Sequence, residues 1–324
     1  FSFFDAVIQK VKARGLSVLL CVPTATVPRW LALAHPEVMR AREDGTREPY
    51  GGRRGCCLND PKYRERAVAL ARALAAHYKG ETAVKAWQID NEIGHEGSDL
   101  CWCETCHGGF IDYLKDRYAD IQELNDRWGT GFWTQIYDRF EDIPLPRKGD
   151  TPKNPALRLE WERFRARSAE SWLKALADAV RAEIPNAFVL HDFSASLWGK
   201  RLDPFAIAKD LDAAAYNHYP VWGAQASAMD PAQTAFALDT ARGLKGGNFW
   251  ITETLIGTQG HDYLSCSPKP GESALWAAQA MAHGCSNLLF FRYRGYHKGA
   301  EQFCFGVLAA DNTPRRKFYE VQDL

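Results

Sequence analysis

Short apolar runs alternate with helix-patterned stretches along the whole chain, and this alternation restricts the fold more than any other feature. Residues 4–14 carry apolar side chains at helical spacing and stop at Gly15, and residues 17–22 (SVLLCV) follow as a buried-type strand. Residues 61–77 form an alanine-rich helical pattern with Asp60 as its expected N-cap and Gly80 near its end. Residues 84–90 (VKAWQID) read as a strand that runs into Asn91-Glu92, and a long helical stretch over 154–184 is closed by Pro185. Further strands are expected at 187–192, 213–217, 248–253 and 287–292, with helical patterns at 232–242 and 272–283 ahead of the last two. Strands alternating with helices imply a parallel sheet, either doubly wound or closed as a barrel. No glycine-rich phosphate loop follows any strand, which counts against dinucleotide binding.

The strand ends carry polar and aromatic residues: Pro23-Thr24, Asn91-Glu92, His191-Asp192, Asn217-His218-Tyr219, Thr252-Glu253 and Arg292-Tyr293-Arg294. In a (β/α)8 TIM barrel the active site is built at these C-terminal ends. The expected fold class is therefore α/β, a TIM barrel over residues 1–324. Six strands are counted, and the chain opens inside a helix, so the first two βα units are expected to be missing. Residues at about 93–150, rich in aromatics and cysteines, read as a helical, metal-binding insertion after one strand.

Charge excludes several partners. Lys plus Arg equals Asp plus Glu at 40 each, so neither a nucleic acid nor an anionic membrane surface is expected as partner. The longest apolar runs, such as 16–22 and 287–291, are too short to span a bilayer. No secretory signal opens the sequence. Nine cysteines, an odd number with several in close spacing, favour metal over a disulfide framework and hence a cytoplasmic setting. No motif calls for an organic cofactor.

Two strand-end carboxylates suit glycoside hydrolysis. That reaction uses one carboxyl group to protonate the leaving oxygen and, when configuration is retained, a second to attack the anomeric carbon from about 5–5.5 Å away. Glu92 ends one strand and Glu253 ends another three strands later, so both would project into a barrel mouth. An isolated strand-end carboxylate is more often structural than catalytic. Two of them, with Asn91 beside the first, carry more weight, because an amide there can hydrogen-bond a sugar hydroxyl next to the reacting carbon.

Cys101-x-Cys103-x-x-Cys106 places three thiols in one short loop. A fourth from elsewhere would complete a tetrahedral zinc site, with Cys57 the candidate and Cys56 its rival. A closed four-thiolate site has no open position for substrate, so its role would be structural, pinning the insertion to the loop that holds Arg53 and Arg54. The remaining alternative is that the thiols are small buried residues without metal.

Taken together, these residues resemble glycoside hydrolase family 42, the bacterial β-galactosidases. The resemblance runs over essentially the whole chain. It includes Val22-Pro23-Thr24-Ala25-Thr26, Arg53-Arg54 ahead of Cys57, Trp87-Gln88-Ile89-Asp90-Asn91-Glu92, Cys101-Trp102-Cys103-Glu104-Thr105-Cys106, Trp128-Gly129-Thr130, Phe291-Arg292-Tyr293-Arg294 and Glu301-Gln302. It implies a retaining exo-acting β-galactosidase on a TIM barrel. Glu92 is then the acid/base at the end of the fourth barrel strand, and Glu253 the nucleophile at the seventh. Arg53, Asn91, Tyr219 and Glu301 are implied as sugar contacts, and Cys57, Cys101, Cys103 and Cys106 as ligands of a structural Zn²⁺. The implied partner is a β-galactoside or related oligosaccharide. A homotrimer is implied only together with later domains.

Two positions depart from the family pattern. The tryptophan commonly found eight residues after the nucleophile is here His261, and the histidine commonly found three residues after the glutamate matching Glu301 is here Cys304. Both changes touch the subsite for the terminal sugar. A related sugar is therefore an alternative, either an α-L-arabinopyranoside or a β-fucoside, as is a catalytically silent carbohydrate-binding protein. Trp30, Trp198 and Trp222 are candidates to stack on sugar faces, although packing is the commoner fate of a tryptophan.

Overall fold

A computed structural model describes residues 1–149, 151–194 and 202–324. The chain divides into two compact units. One comprises Phe1–Ala187 and the residues leading to Ile207; the other begins at Phe188 and takes in Ala208–Leu324.

The first unit contains α1 (Ser2–Lys12), β1 (Val18–Val22), α2 (Arg29–Ala34), α3 (Pro61–Tyr78), β2 (Val84–Ile89), α4 (Glu104–Arg117), α5 (Ile121–Trp128) and α6 (Pro155–Glu183). β1 and β2 are parallel, with Leu20 opposite Trp87 and Val22 opposite Ile89. Two helices of this unit start where the sequence supplies both a cap and a proline. Asp60 accepts from the Tyr63 N–H at 2.8 Å ahead of Pro61, and Asn154 accepts from the Ala156 N–H at 2.9 Å ahead of Pro155. Each cap satisfies a donor that the helix itself cannot pair, and proline fits the first turn because its missing N–H has no partner there.

α6 carries one buried stripe at helical spacing: Leu157, Trp161, Phe164, Ser168, Trp172, Leu176 and Val180. Its first part packs with Phe110, Leu114, Leu124, Trp128 and Ile143 into a core that also contains the four clustered cysteines. Further along, Trp172 stacks on Tyr63 of α3, with ring centroids 4.8 Å apart and planes 14° from parallel. One helix thus serves both the cysteine-rich segment and the layer behind β2.

After α7 (Pro204–Lys209), the second unit contains β4 (Ala213–His218), α8 (Pro231–Gly243), β5 (Phe249–Leu255), α9 (Glu272–Ala282), β6 (Cys285–Phe291) and α10 (Arg316–Gln322), with β3 (Val189–Phe193) preceding them. β3, β4, β5 and β6 pair in that order, all parallel. Every residue of β3 and β4 is buried, the mark of parallel strands covered on both faces.

The six strands among the described residues, parallel within each unit, agree with the alternation in the sequence. The shorter helices α2, α4, α5, α7 and α10 were not anticipated individually. No helix among the described residues is long and apolar enough to cross a membrane.

Candidate active site

β2 delivers Asp90, Asn91 and Glu92 at its C-terminal end. The backbone there leaves the strand through the left-handed region: φ is 58° at Asp90 and 44° at Glu92, and Arg54 and Glu96 nearby adopt 59° and 52°. Four side-chain-bearing residues in this conformation are costly individually, so the surroundings must hold them, a pattern concentrated at functional sites. Asp90 is one such anchor. It is buried, accepts the Trp172 indole N–H at 2.6 Å and the Asn91 N–H at 2.7 Å, and burial pushes its carboxyl group upward in pKa. The Tyr63 hydroxyl donates to the Thr24 carbonyl at 2.5 Å, fastening the end of β1 to α3.

Arg54 organises the end of β2. Its side chain is 2% exposed. It donates to the Asn91 carbonyl at 3.2 Å, to Asn91 Oδ1, to Glu92 Oε2 at 2.8 Å and to Glu96 Oε2 at 3.0 Å. Arg53, the arginine implied as a sugar contact, is more open and grips Glu96 with Nε at 3.1 Å from both oxygens and Nη2 at 3.0 Å. Burial raises the Glu96 pKa, but its bonds to Arg53 and Arg54 outweigh this and hold it below the usual range. The sequence reading named Arg54 only as a neighbour; nothing in Gly52-Arg53-Arg54-Gly55 shows which guanidinium turns inward.

In the second unit, Glu253 lies on β5 and accepts the Tyr219 hydroxyl at 2.6 Å. The adjacent strand ends are joined by buried polar bonds: Thr252 Oγ1 donates to Asn217 Oδ1 at 2.8 Å, and Asn217 Nδ2 donates to Asp192 at 3.0 Å. This chain fixes β3, β4 and β5 beneath Glu253, and the sequence reading missed it. Trp222 packs edge-on against Tyr219, at 4.9 Å, and against His261, at 5.4 Å. Tyr219, Trp222 and His261 are thus brought together. Glu301 is paired with Arg292, whose guanidinium lies 4.4 Å from the Phe291 ring centroid, and Phe291 in turn touches Tyr219. Cys304 is fully buried, its sulfur 3.7 Å from the Gly260 carbonyl oxygen. Trp30 is 58% exposed at the start of α2, and Trp198 lies outside the described residues.

The four cysteines converge. The sulfurs of Cys57, Cys101, Cys103 and Cys106 all lie within 4.8 Å of one another and are buried. Cys57 is 3.7 Å from Cys103 and 3.4 Å from Cys106. A tetrahedron with Zn–S bonds of about 2.3 Å needs sulfurs roughly 3.8 Å apart, so the set fits a zinc ion. Outer donors suit thiolates as well: the Ala41 N–H points at Cys101 and the Asn59 amide at Cys106, each at 3.3 Å. Cys56 stays out of the cluster. Its thiol is buried beside Tyr63 and Asp60, and burial pushes it up to about 12. The choice left open between Cys56 and Cys57 falls to Cys57.

Comparison with known proteins identifies the family. The glycoside hydrolase family 42 β-galactosidase model matches residues 1–324. The β-galactosidase BgaH of Haloferax lucentense is 35% identical over 332 residues, covering 99% of this chain and 50% of its own. BgaA of a Thermus species is 34% identical over 336 residues, covering 100% and 52%. Among solved structures, the polyextremophilic β-galactosidase of Halorubrum lacusprofundi superposes with a TM-score of 0.93 at 32% identity, over 99% of this chain and 49% of that one. The enzyme from Marinomonas ef1 gives 0.92 at 28% identity, over 98% and 50%. The chain spans about half the length of the curated relatives it matches. With the strand-end carboxylates, the four-cysteine cluster and this whole-length match together, the chain belongs to the glycoside hydrolase family 42 β-galactosidases.

Proposed function

We propose that the protein hydrolyses terminal β-D-galactosyl residues with retention of configuration, using Glu253 as nucleophile and Glu92 as acid/base in a complete (β/α)8 barrel. Glu253 attacks the anomeric carbon as Glu92 protonates the departing oxygen. A galactosyl ester forms on Glu253, and Glu92 then takes a proton from the water that opens it. The observation that carries this reading is that each carboxylate is held by a nearby side-chain donor, the buried Arg54 on Glu92 and Tyr219 on Glu253. A surface acid has no need of such fixing, whereas a reacting carboxylate must be aimed.

Around this pair, Asn91 is assigned to the hydroxyl beside the reacting carbon, with its Oδ1 held by Arg54. Arg53, Tyr219, His261 and Glu301 are assigned to the sugar. Arg53 would have to exchange part of its contact with Glu96 for a hydroxyl. Zinc at the four cysteines acts structurally, since four thiolates leave no open coordination position. It clips the cysteine-rich insertion to the loop carrying Arg53 and Arg54; residue 150, the expected end of that insertion, lies outside the described residues.

The test is a leaving-group series. Glu92→Ala should keep activity on aryl β-galactosides with acidic phenols and lose it on alkyl galactosides, while added azide restores turnover as a galactosyl azide of retained configuration. A uniform loss across the series would reject Glu92 as the acid. A second sugar is favoured by one observation: Cys304 is buried against Gly260 instead of offering a polar group to the sugar. A panel of aryl β-galactoside, β-fucoside and α-L-arabinopyranoside decides between them by kcat/KM.

A further inference from the structure

The first unit holds a cleft of about 910 Å3 that the two carboxylates leave unused. Gly94 and Gly97, two and five residues beyond Glu92, are among its lining residues. Its lining also includes Trp102, the described residues 146–149 and 151–153, and the first turns of α6. Trp102 is held as a wall by its indole N–H, which donates to the Pro146 carbonyl at 3.0 Å.

The cleft is positive. Among the described residues its lining has five cationic side chains and three acidic ones. Arg165 is spoken for by Asp99, and Arg158 by Glu162 at 3.2 Å. Arg147 donates to the Glu43 main-chain oxygen, and the Glu43 carboxylate takes the Lys148 main-chain N–H. The Lys148 and Lys153 ammonium groups therefore have no acidic partner among the described residues. The N-terminus of the 29-residue α6 opens on the same space through Asn154 and Pro155, adding its positive dipole end.

We propose that this cleft is a leaving-group subsite that selects acidic saccharides, that is, β-galactosides whose aglycone carries a carboxylate. The inference rests on Glu92 being the acid. The leaving oxygen must lie beside the group that protonates it, so the rest of the aglycone continues past Gly94 and Gly97. There its carboxylate meets Lys148 and Lys153, and its apolar face lies against Trp102. A neutral aglycone leaves both lysines to water and gains nothing from them.

Lactose and lactobionate test this directly, because they carry the same galactosyl bond to a neutral sugar and to an open-chain acid. At low ionic strength kcat/KM should favour lactobionate roughly 4- to 10-fold, two partly exposed charge contacts each contributing a few-fold. The preference should shrink toward one at about 0.5 M salt and in the Lys148→Gln/Lys153→Gln double variant. Both lysines are exposed, so folding is not at stake. A wild-type ratio of one or less, or a ratio that the double variant leaves unchanged, overturns the proposal. Equilibrium binding of both sugars is measured in parallel. If neither sugar is cleaved but lactobionate binds more tightly in a salt-sensitive way, the cleft stands and the glycosidase reading fails. Equal binding overturns the cleft.

Discussion

Arg54 is the residue on which the end of β2 turns, and Arg54→Met is the perturbation that measures it. Its guanidinium makes four hydrogen bonds with its side chain 2% exposed, and Glu92, its principal charged partner, is 9% exposed. Removing one member of a buried ion pair typically costs about 3–5 kcal/mol, because the abandoned charge stays buried. The bond to Glu96 adds little, since that carboxylate is 35% exposed and also held by Arg53, and exposed pairs contribute about 0–1 kcal/mol. The expected loss in urea unfolding is therefore about 3–5 kcal/mol. Turnover should fall as well, because Glu92 and Asn91 both lose their fixing. A loss of about 2.7 kcal/mol in transition-state stabilisation corresponds to about 100-fold in kcat/KM. Arg54→Lys keeps the charge but replaces the fork with a single ammonium that cannot span all four acceptors, so it should recover the stability only in part. The assay pairs unfolding with kcat/KM on 4-nitrophenyl β-D-galactoside, with zinc content as a control because Cys57 lies close by in the chain. Arg54→Met within about 1 kcal/mol of wild type, against the 3–5 expected for a buried pair, and with unchanged kcat/KM would refute the reasoning.

The other outcomes follow from the same geometry. Tyr219→Phe removes a 2.6 Å bond to Glu253; bonds to charged groups contribute about 1.5–3 kcal/mol, so kcat should drop about 10- to 100-fold with a smaller change in KM, and equal effects on both would argue against an aiming role. Cys57→Ser should abolish stoichiometric zinc, lower the thermal midpoint and reduce activity through the Arg54 loop, with metal analysis and calorimetry as the checks; zinc retained at one per chain would reject the cluster as its site. His218 is buried on β4 with both ring nitrogens unpartnered among the described residues, and burial lowers its pKa from 6.5 to about 4. The folded state thus keeps it neutral while the unfolded chain protonates, so its contribution is present above pH 6.5 and is lost as pH falls toward about 4, by up to about 3 kcal/mol. His218→Leu should flatten that slope in denaturant titrations; an unchanged slope would assign it elsewhere.

What could be read in the sequence was local. The run VKAWQID ending in Asn91-Glu92 shows a strand and the carboxylate at its end within a few residues. The Cys101, Cys103 and Cys106 spacing shows its chemistry in the same way, and Asp60-Pro61 marks a helix start. What could not be read depends on long-range packing or on which way adjacent residues turn. Cys56 and Cys57 are neighbours facing different surroundings, and so are Arg53 and Arg54, where the outcome depends on a positive φ at Arg54 and on Glu96 from another loop. The Asp90–Trp172 bond joins residues 82 positions apart, and the Asp192–Asn217–Thr252 chain joins three strands. Neither has a signature at the level of composition or periodicity, because each exists only once α6 and the strand ends are in place.

The most direct test of the two-carboxylate account is covalent trapping. Incubation with a 2-deoxy-2-fluoro-β-galactosyl fluoride, followed by protease digestion and mass spectrometry, should place one fluorogalactosyl group on Glu253 and none on Glu92. A label on Glu92, or an active enzyme that turns over without any trapped ester, would contradict it.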